Sequence, residues 1–204
     1  MPTFGVHLSS ARMEQKTDII VGRKAEREHL SSIMDSKEAE FVVVYGRRRV
    51  GKTFLVNSFF ENDYTFKYTG IAKNSKSEQL ANFTAALNRY GDGAKYAKPR
   101  TWYEAFDSLR QLLEEKKTDG KRIVFIDELP WMDTRGSNLT SALEHFWNDW
   151  AVTQNDLVLI VCGSATSWMT GKILKNRGGL HNRVTQKLYI RPFNLCECKE
   201  YLTS

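Results

Sequence analysis

Short apolar runs alternate with amphipathic stretches along this chain. EFVVVYG is compact, β-branched and apolar, and it ends in glycine, which predicts a strand buried on both faces. KRIVFIDELPWM and DLVLIVCGS have the same character, while YTFKYTGIA (64–72) and QKLYIRPF predict two further strands. Between them lie stretches with helical spacing: RKAEREHLSSIMD (23–35), KTFLVNSFFE and NLTSALEHFWNDWAV. SKSEQLANFTAALNRYG opens on a serine cap and stops at Gly91, and TWYEAFDSLRQLLEEKK sets Trp102, Phe106, Leu109 and Leu113 on one stripe. SATSWMTGKIL predicts a short helix. Strands alternating with helices predict an α/β fold, a parallel sheet covered on both faces.

Composition narrows the class. At 204 residues, 41% apolar and 12% aromatic, the chain can bury a core of its own. The net charge of +6 favours polyanionic partners, whether nucleotide, nucleic acid or acidic protein, although a mildly basic surface also serves solubility. Three cysteines at irregular spacing, with Cys196 and Cys198 as a lone C-x-C, argue against a zinc site and fit a reducing cytoplasm. No apolar run approaches the ~20 residues of a membrane helix, and the opening residues lack the apolar centre of a secretory signal. The expected organisation is a flexible tail (1–18), a core domain (19–193), and the start of a helical unit (194–204) that is cut off. NLCE in that last piece fits a capping box.

Two motifs carry chemistry. Gly46–Thr53, GRRRVGKT, matches G-x-x-x-x-G-K-[ST] at every position. Gly46 and Gly51 permit a turn in which the backbone N–H groups of Arg47, Arg48, Arg49 and Val50 surround phosphate, and the helix N-terminus adds further donors. Lys52 would reach the β- and γ-phosphates, the Thr53 hydroxyl would bind Mg2+, and Phe54 follows on the same helix. The IVFIDE strand delivers Asp127 to the carboxyl edge of the sheet as the second magnesium residue. Glu128, one position on, points to the other side by the two-residue period of a strand, which suits activation of water. Ser164, ending LVLIVCGS, is expected beside Asp127 as a γ-phosphate sensor. Arg135, Arg177 and Arg183 are candidates for transition-state charge, with Arg183 preferred. At least one β-α unit separates the two motif strands. That is the arrangement of P-loop ATPases with an added strand and a catalytic glutamate: a three-layer αβα (ASCE/AAA+-like) fold with five parallel strands in the order 5-1-4-3-2.

These residues resemble the archaeal-type ATPase clade of the STAND P-loop NTPases, relatives of the AAA+ proteins. VGRKAE is similar to the clade's N-terminal motif, which implies that Gly22 and Arg23 lie near the nucleotide base. YGRRRVGKT resembles its arginine-rich P-loop, FIDELPWM and CGSATSWM its magnesium and sensor strands, and GGLHNRVTQKLYIRPF the segment with its arginine, here Arg183. The resemblance implies ATP/ADP and Mg2+ as cofactors and a nucleotide-driven switch with slow hydrolysis. A homo-oligomer, or a DNA or protein partner engaged through a further C-terminal region, is compatible with it. A DNA-binding loader or motor and a nucleotide-stabilised scaffold are the alternatives. The guanidinium groups of Arg47, Arg48 and Arg49 are expected to face outward, at least one pairing with a carboxylate that holds the empty loop.

Overall fold

The computed structural model describes residues 20–116, 118–175, 180 and 182–203. The expected N-terminal tail and Arg177 lie outside the described residues. Five strands, β1 (Glu40–Tyr45), β2 (Phe66–Thr69), β3 (Arg122–Asp127), β4 (Leu157–Gly163) and β5 (Gln186–Tyr189), form one sheet. Their order is β2-β3-β4-β1-β5 and every pairing is parallel. Read from the opposite edge, this is the order expected from the motif spacing.

Strand periodicity sorts the core into two layers. Phe41 and Val43 of β1, Val124 and Ile126 of β3, and Leu159 and Val161 of β4 face one cluster. Helices α3 (Lys76–Tyr90), α4 (Trp102–Glu115) and α6 (Leu139–Asp149) cover that side. Val42, Val44, Ile123, Phe125, Ile160 and Cys162 face the other cluster, under α1 (Lys24–Asp35) and α2 (Lys52–Phe59). All four stripe residues of α4 are buried. Phe83 meets Trp102 edge-on at 5.5 Å and Phe106 stacks on Phe146 at 5.5 Å, and each such side chain stabilises by roughly 1.5–3 kcal/mol on burial.

Local signals explain the ends of elements. Ser75 and Glu78 form a reciprocal capping box at the start of α3. Asn194 and Glu197 form another before α8 (Leu195–Thr203), with bonds of 2.9 and 3.0 Å. β2 is shorter than its alternating pattern suggests: Gly70 makes a last bond to Asp127 O at 2.9 Å and packs against Glu128 O, and the chain then turns away. The segment after β4 is not one helix: a single turn, α7 (Thr166–Trp168), runs into a π-helical turn at Met169–Leu174.

Candidate functional site

The loop between β1 and α2 is shaped by backbone crowding. A Cβ on Gly46 would collide with the carbonyl oxygen of Ile190, where the chain leaving β5 donates to Tyr45 O at 2.8 Å. Gly51 takes φ +84° as the N-cap of α2, and Arg49 is held at φ +65°. A non-glycine residue in that region costs roughly 1–2 kcal/mol. Lys52 is only 6% exposed, and its Nζ donates to Arg47 O at 2.8 Å. The ammonium thus spans the loop on a carbonyl bond that a phosphate oxygen could replace.

Asp127 shares the face of Ile123 and Phe125, which is the face carrying α2, so strand parity brings it to Thr53. Thr53 Oγ1 donates to Asp127 Oδ2 at 2.8 Å, and Asp127 Oδ1 accepts from the Glu128 amide at 2.8 Å. A hydroxyl and a carboxylate at one point form an oxygen donor set suited to Mg2+, which takes one or two protein ligands beside phosphate and water. Among the described residues, no group of three or more His, Cys, Asp or Glu could hold a metal ion. Beneath the pair, burial pushes the Cys162 thiol well above its ordinary pKa, and the neighbouring Asp127 charge pushes it the same way.

Glu128 has left the strand. It sits at φ +47° as N-cap of α5 (Leu129–Met132), and this turn, rather than strand alternation, sends its side chain away from Asp127. Its Oε2 accepts from Ser164 Oγ at 3.0 Å. Ser164 therefore engages Glu128, where the sequence reading set it beside Asp127. The turn is walled in: a Cβ on Gly70 would come within 2.6 Å of Glu128 O, and one on Gly163 within 2.7 Å of Pro130 Cδ. Asp133 joins the end of α5 to the segment after β4, accepting from Trp168 Nε1 at 2.8 Å.

Sequence reasoning missed Gln79. Fully buried in α3, its Oε1 accepts from Tyr68 OH at 2.8 Å and Ile71 N at 3.2 Å, and its Nε2 donates to Ile71 O and to Trp131 O. It fixes the loop after β2 and the helix that begins at Glu128. The available signal was a polar residue on the apolar stripe of Leu80, Phe83 and Leu87.

Two adjoining cavities complete the site. One of about 330 Å3 is lined by Arg48, Arg49, Gly51, Lys52, Thr53, Phe54 and Glu128. The other, of about 400 Å3, is mostly apolar, with Ile20, Val21, Val50, Leu55, Phe193 and Tyr201 in its wall. Arg49, Gly51 and Phe54 border both, and Phe54 is 57% exposed between them. Arg23 lines the apolar cavity; its guanidinium donates to Val50 O at 3.0 Å and lies 4.5 Å from the Phe193 ring centroid. Gly22, at φ +64°, passes so close to α8 that a Cβ would come within 2.8 Å of Glu197 Cγ. Phe193 and Tyr201 also escaped the sequence reading, since no local spacing ties them to the P-loop.

The arginines are distributed differently from expectation. Among the described residues, none of Arg47, Arg48 and Arg49 pairs with the expected carboxylate, and the side-chain bond across the loop is from Lys52 Nζ to Arg47 O. Arg47, Arg48 and Arg49 are all exposed, and the Arg48 guanidinium lies 5.8 Å from the Trp131 ring centroid. Arg135 is exposed in the turn after α5. Arg183 precedes β5, whose first residue pairs with Val42, so it stands at the amino-terminal edge of the sheet. The P-loop is at the carboxyl edge, and within one chain Arg183 does not join the site.

Residues 20–202 match a family described as an ATPase domain predominantly from Archaea. The chain belongs to that family. An uncharacterised protein of Methanocaldococcus jannaschii is 29% identical over 183 residues, covering 90% of this chain and 38% of that protein. A ClpB chaperone protein of Wolinella succinogenes is 29% identical over 126 residues, 62% of this chain and 14% of that protein. Both relatives are much longer than the stretch this ATPase domain spans. The structure of a Walker-type ATPase of Pyrococcus abyssi superposes with a TM-score of 0.64 at 19% identity, covering 90% of this chain and 57% of that one. Drosophila ORC bound to DNA gives 0.59 at 17% identity, covering 95% and 49%. At those identities the likeness shows the P-loop NTPase fold. Among the described residues, no helix of this ATPase domain is long and apolar enough to cross a membrane.

Proposed function

We propose that this domain binds Mg-ATP across the two cavities and hydrolyses it slowly, the nucleotide state setting the position of α8 and of whatever follows it. The observation that carries this reading is the arrangement Thr53–Asp127 beside Glu128–Ser164, on one side of a P-loop with a buried lysine. Lys52 binds the β- and γ-phosphates, and the amides of Arg47–Val50 surround them. Thr53 and Asp127 would hold Mg2+, which neutralises phosphate charge when bound. Glu128 orients the attacking water and takes its proton, and Ser164 sets the direction of that carboxylate. General-base assistance of this kind is typically worth ~10²–10⁴ in rate.

The base fits the apolar cavity beside Arg23, which supports the assignment of Gly22 and Arg23 to nucleotide binding. The domain works in the cytoplasm, and a DNA or protein partner, or a second copy, acts on the edge carrying α8 and the exposed Arg47. Glu128→Gln should bind ATP as tightly as the wild type and release no phosphate. Equal, slow release from both proteins would instead favour a nucleotide-stabilised scaffold. A salt-sensitive mobility shift with duplex DNA, lost in Arg47→Ala, would favour the loader reading.

A further inference from the structure

The geometry points to Arg48 as the residue that neutralises transition-state charge, supplied by the chain's own P-loop rather than by another copy. The inference rests on the proposed hydrolysis. Arg48 and Glu128 line the same 330 Å3 cavity as Lys52 and Thr53. A group positioned there reaches phosphate and water together. Its guanidinium lies against Trp131, three residues beyond Glu128, whose carbonyl is held by Gln79 at 3.0 Å. That bond fixes the backbone from which the indole projects, one turn from Glu128. A single cation–ring contact at 5.8 Å is weaker than charge-assisted hydrogen bonds to phosphate, so an arriving phosphate outcompetes it.

Charge supports the same assignment. Among the described residues no carboxylate pairs with Arg48. The guanidinium reaches the cavity uncompensated, with its planar fork of donors available for phosphate oxygens. Arg49 borders both cavities and so stands nearer the junction of base and phosphates. Arg48 borders only the phosphate cavity, on the Glu128 side. Arg183 is at the other edge of the sheet.

In the step, the water oxygen bonds to the γ-phosphorus as the β–γ bridging P–O bond breaks. The water proton passes to Glu128, and the departing ADP carries the electron pair of the broken bond on its β-phosphate oxygen. Arg48 and Lys52 stabilise the charge that builds on that oxygen and on the γ-phosphoryl group. Trp131 holds the guanidinium aside until nucleotide arrives, which keeps the empty loop open.

The test is steady-state ATP hydrolysis and ADP titration on wild type, Arg48→Ala, Arg48→Lys, Arg183→Ala and an equimolar mixture of Arg48→Ala with Glu128→Gln. Arg48→Ala should lower kcat ~10³-fold or more, the lower end of the range known for transition-state arginines, with ADP affinity changed less than about fivefold. Arg48→Lys should recover only a small part, because an ammonium lacks the fork. The mixture should remain inactive, since an arginine acting within its own chain cannot be lent. Arg48→Ala turning over within threefold of wild type would overturn the inference. So would an equal loss of kcat and ADP affinity, rescue in the mixture, or loss confined to Arg183→Ala. If wild type itself binds ADP without hydrolysing ATP, it is the underlying reading of function that fails.

Discussion

At the scale of single residues, Gln79 shows how a buried amide governs the site without touching it. All four of its hydrogen bonds go to groups in β2, the following loop and α5. Gln79→Leu preserves volume but leaves Ile71 N, Ile71 O and Trp131 O without that partner. Each buried unpaired group costs roughly 1–3 kcal/mol. Partial relaxation should bring the total loss to about 2–4 kcal/mol in urea unfolding, with ADP binding retained and phosphate release reduced because Glu128 begins the released helix. Unchanged stability would mean that water or backbone movement replaces the amide. Cys162 offers a simpler reading of the same interior. Burial holds its thiol protonated, whereas Cys196 and Cys198 are exposed, so a thiol reagent at pH 8 should label two cysteines rapidly and the third only on unfolding. Rapid labelling of all three would show that the floor beneath Thr53 and Asp127 opens in the native state.

At the scale of elements, the edge of the sheet opposite the nucleotide is tied together by Arg122. The guanidinium donates to Asp156 through Nε at 2.6 Å and Nη2 at 2.7 Å, and also reaches the Leu113 carbonyl near the end of α4. The hydrogen bond and charge of Arg122 hold the Asp156 carboxyl below its ordinary pKa. A carboxylate depressed in the folded state stabilises fully above its unfolded pKa of about 3.9. That contribution is lost as the pH falls through the lower folded value. Wild type should therefore exceed Asp156→Asn in stability at pH 7, by about 1 kcal/mol because Asp156 is half exposed, and the gap should close below pH 4. Chemical denaturation at several pH values measures it, and a gap that persists at pH 2 would assign the effect to packing.

The elements also show what patterning conveys. Apolar runs and caps specify where β1, β3, β4, α3 and α4 lie, because burial on both faces and capping are local demands. The turn at Glu128 was not legible. Its left-handed backbone follows from packing by Gly70 and Gly163, which arrive from two other strands.

At the scale of the whole molecule, the P-loop and Asp127 were readable as spacing, while the apolar cavity was not. Its wall joins residues near position 20 to Phe193 and Tyr201 through the sheet, and no window of sequence contains that proximity. On the proposed reading the two cavities are two recognitions that can be separated by ligand. Pyrophosphate should occupy only the loop cavity, whereas ADP should fill both. Tyr201→Ala removes a ring that packs 6.2 Å from Phe193, centroid to centroid, at the mouth of the apolar cavity. A base stacked on an aromatic ring gains ~1–3 kcal/mol, and ~1.4 kcal/mol is a tenfold change in Kd. ADP should then bind about tenfold more weakly to Tyr201→Ala by calorimetry, while pyrophosphate affinity stays within twofold of wild type. Equal weakening of both ligands would mean that α8 supports the P-loop itself. No weakening of either would place the base outside this cavity and separate α8 from nucleotide binding.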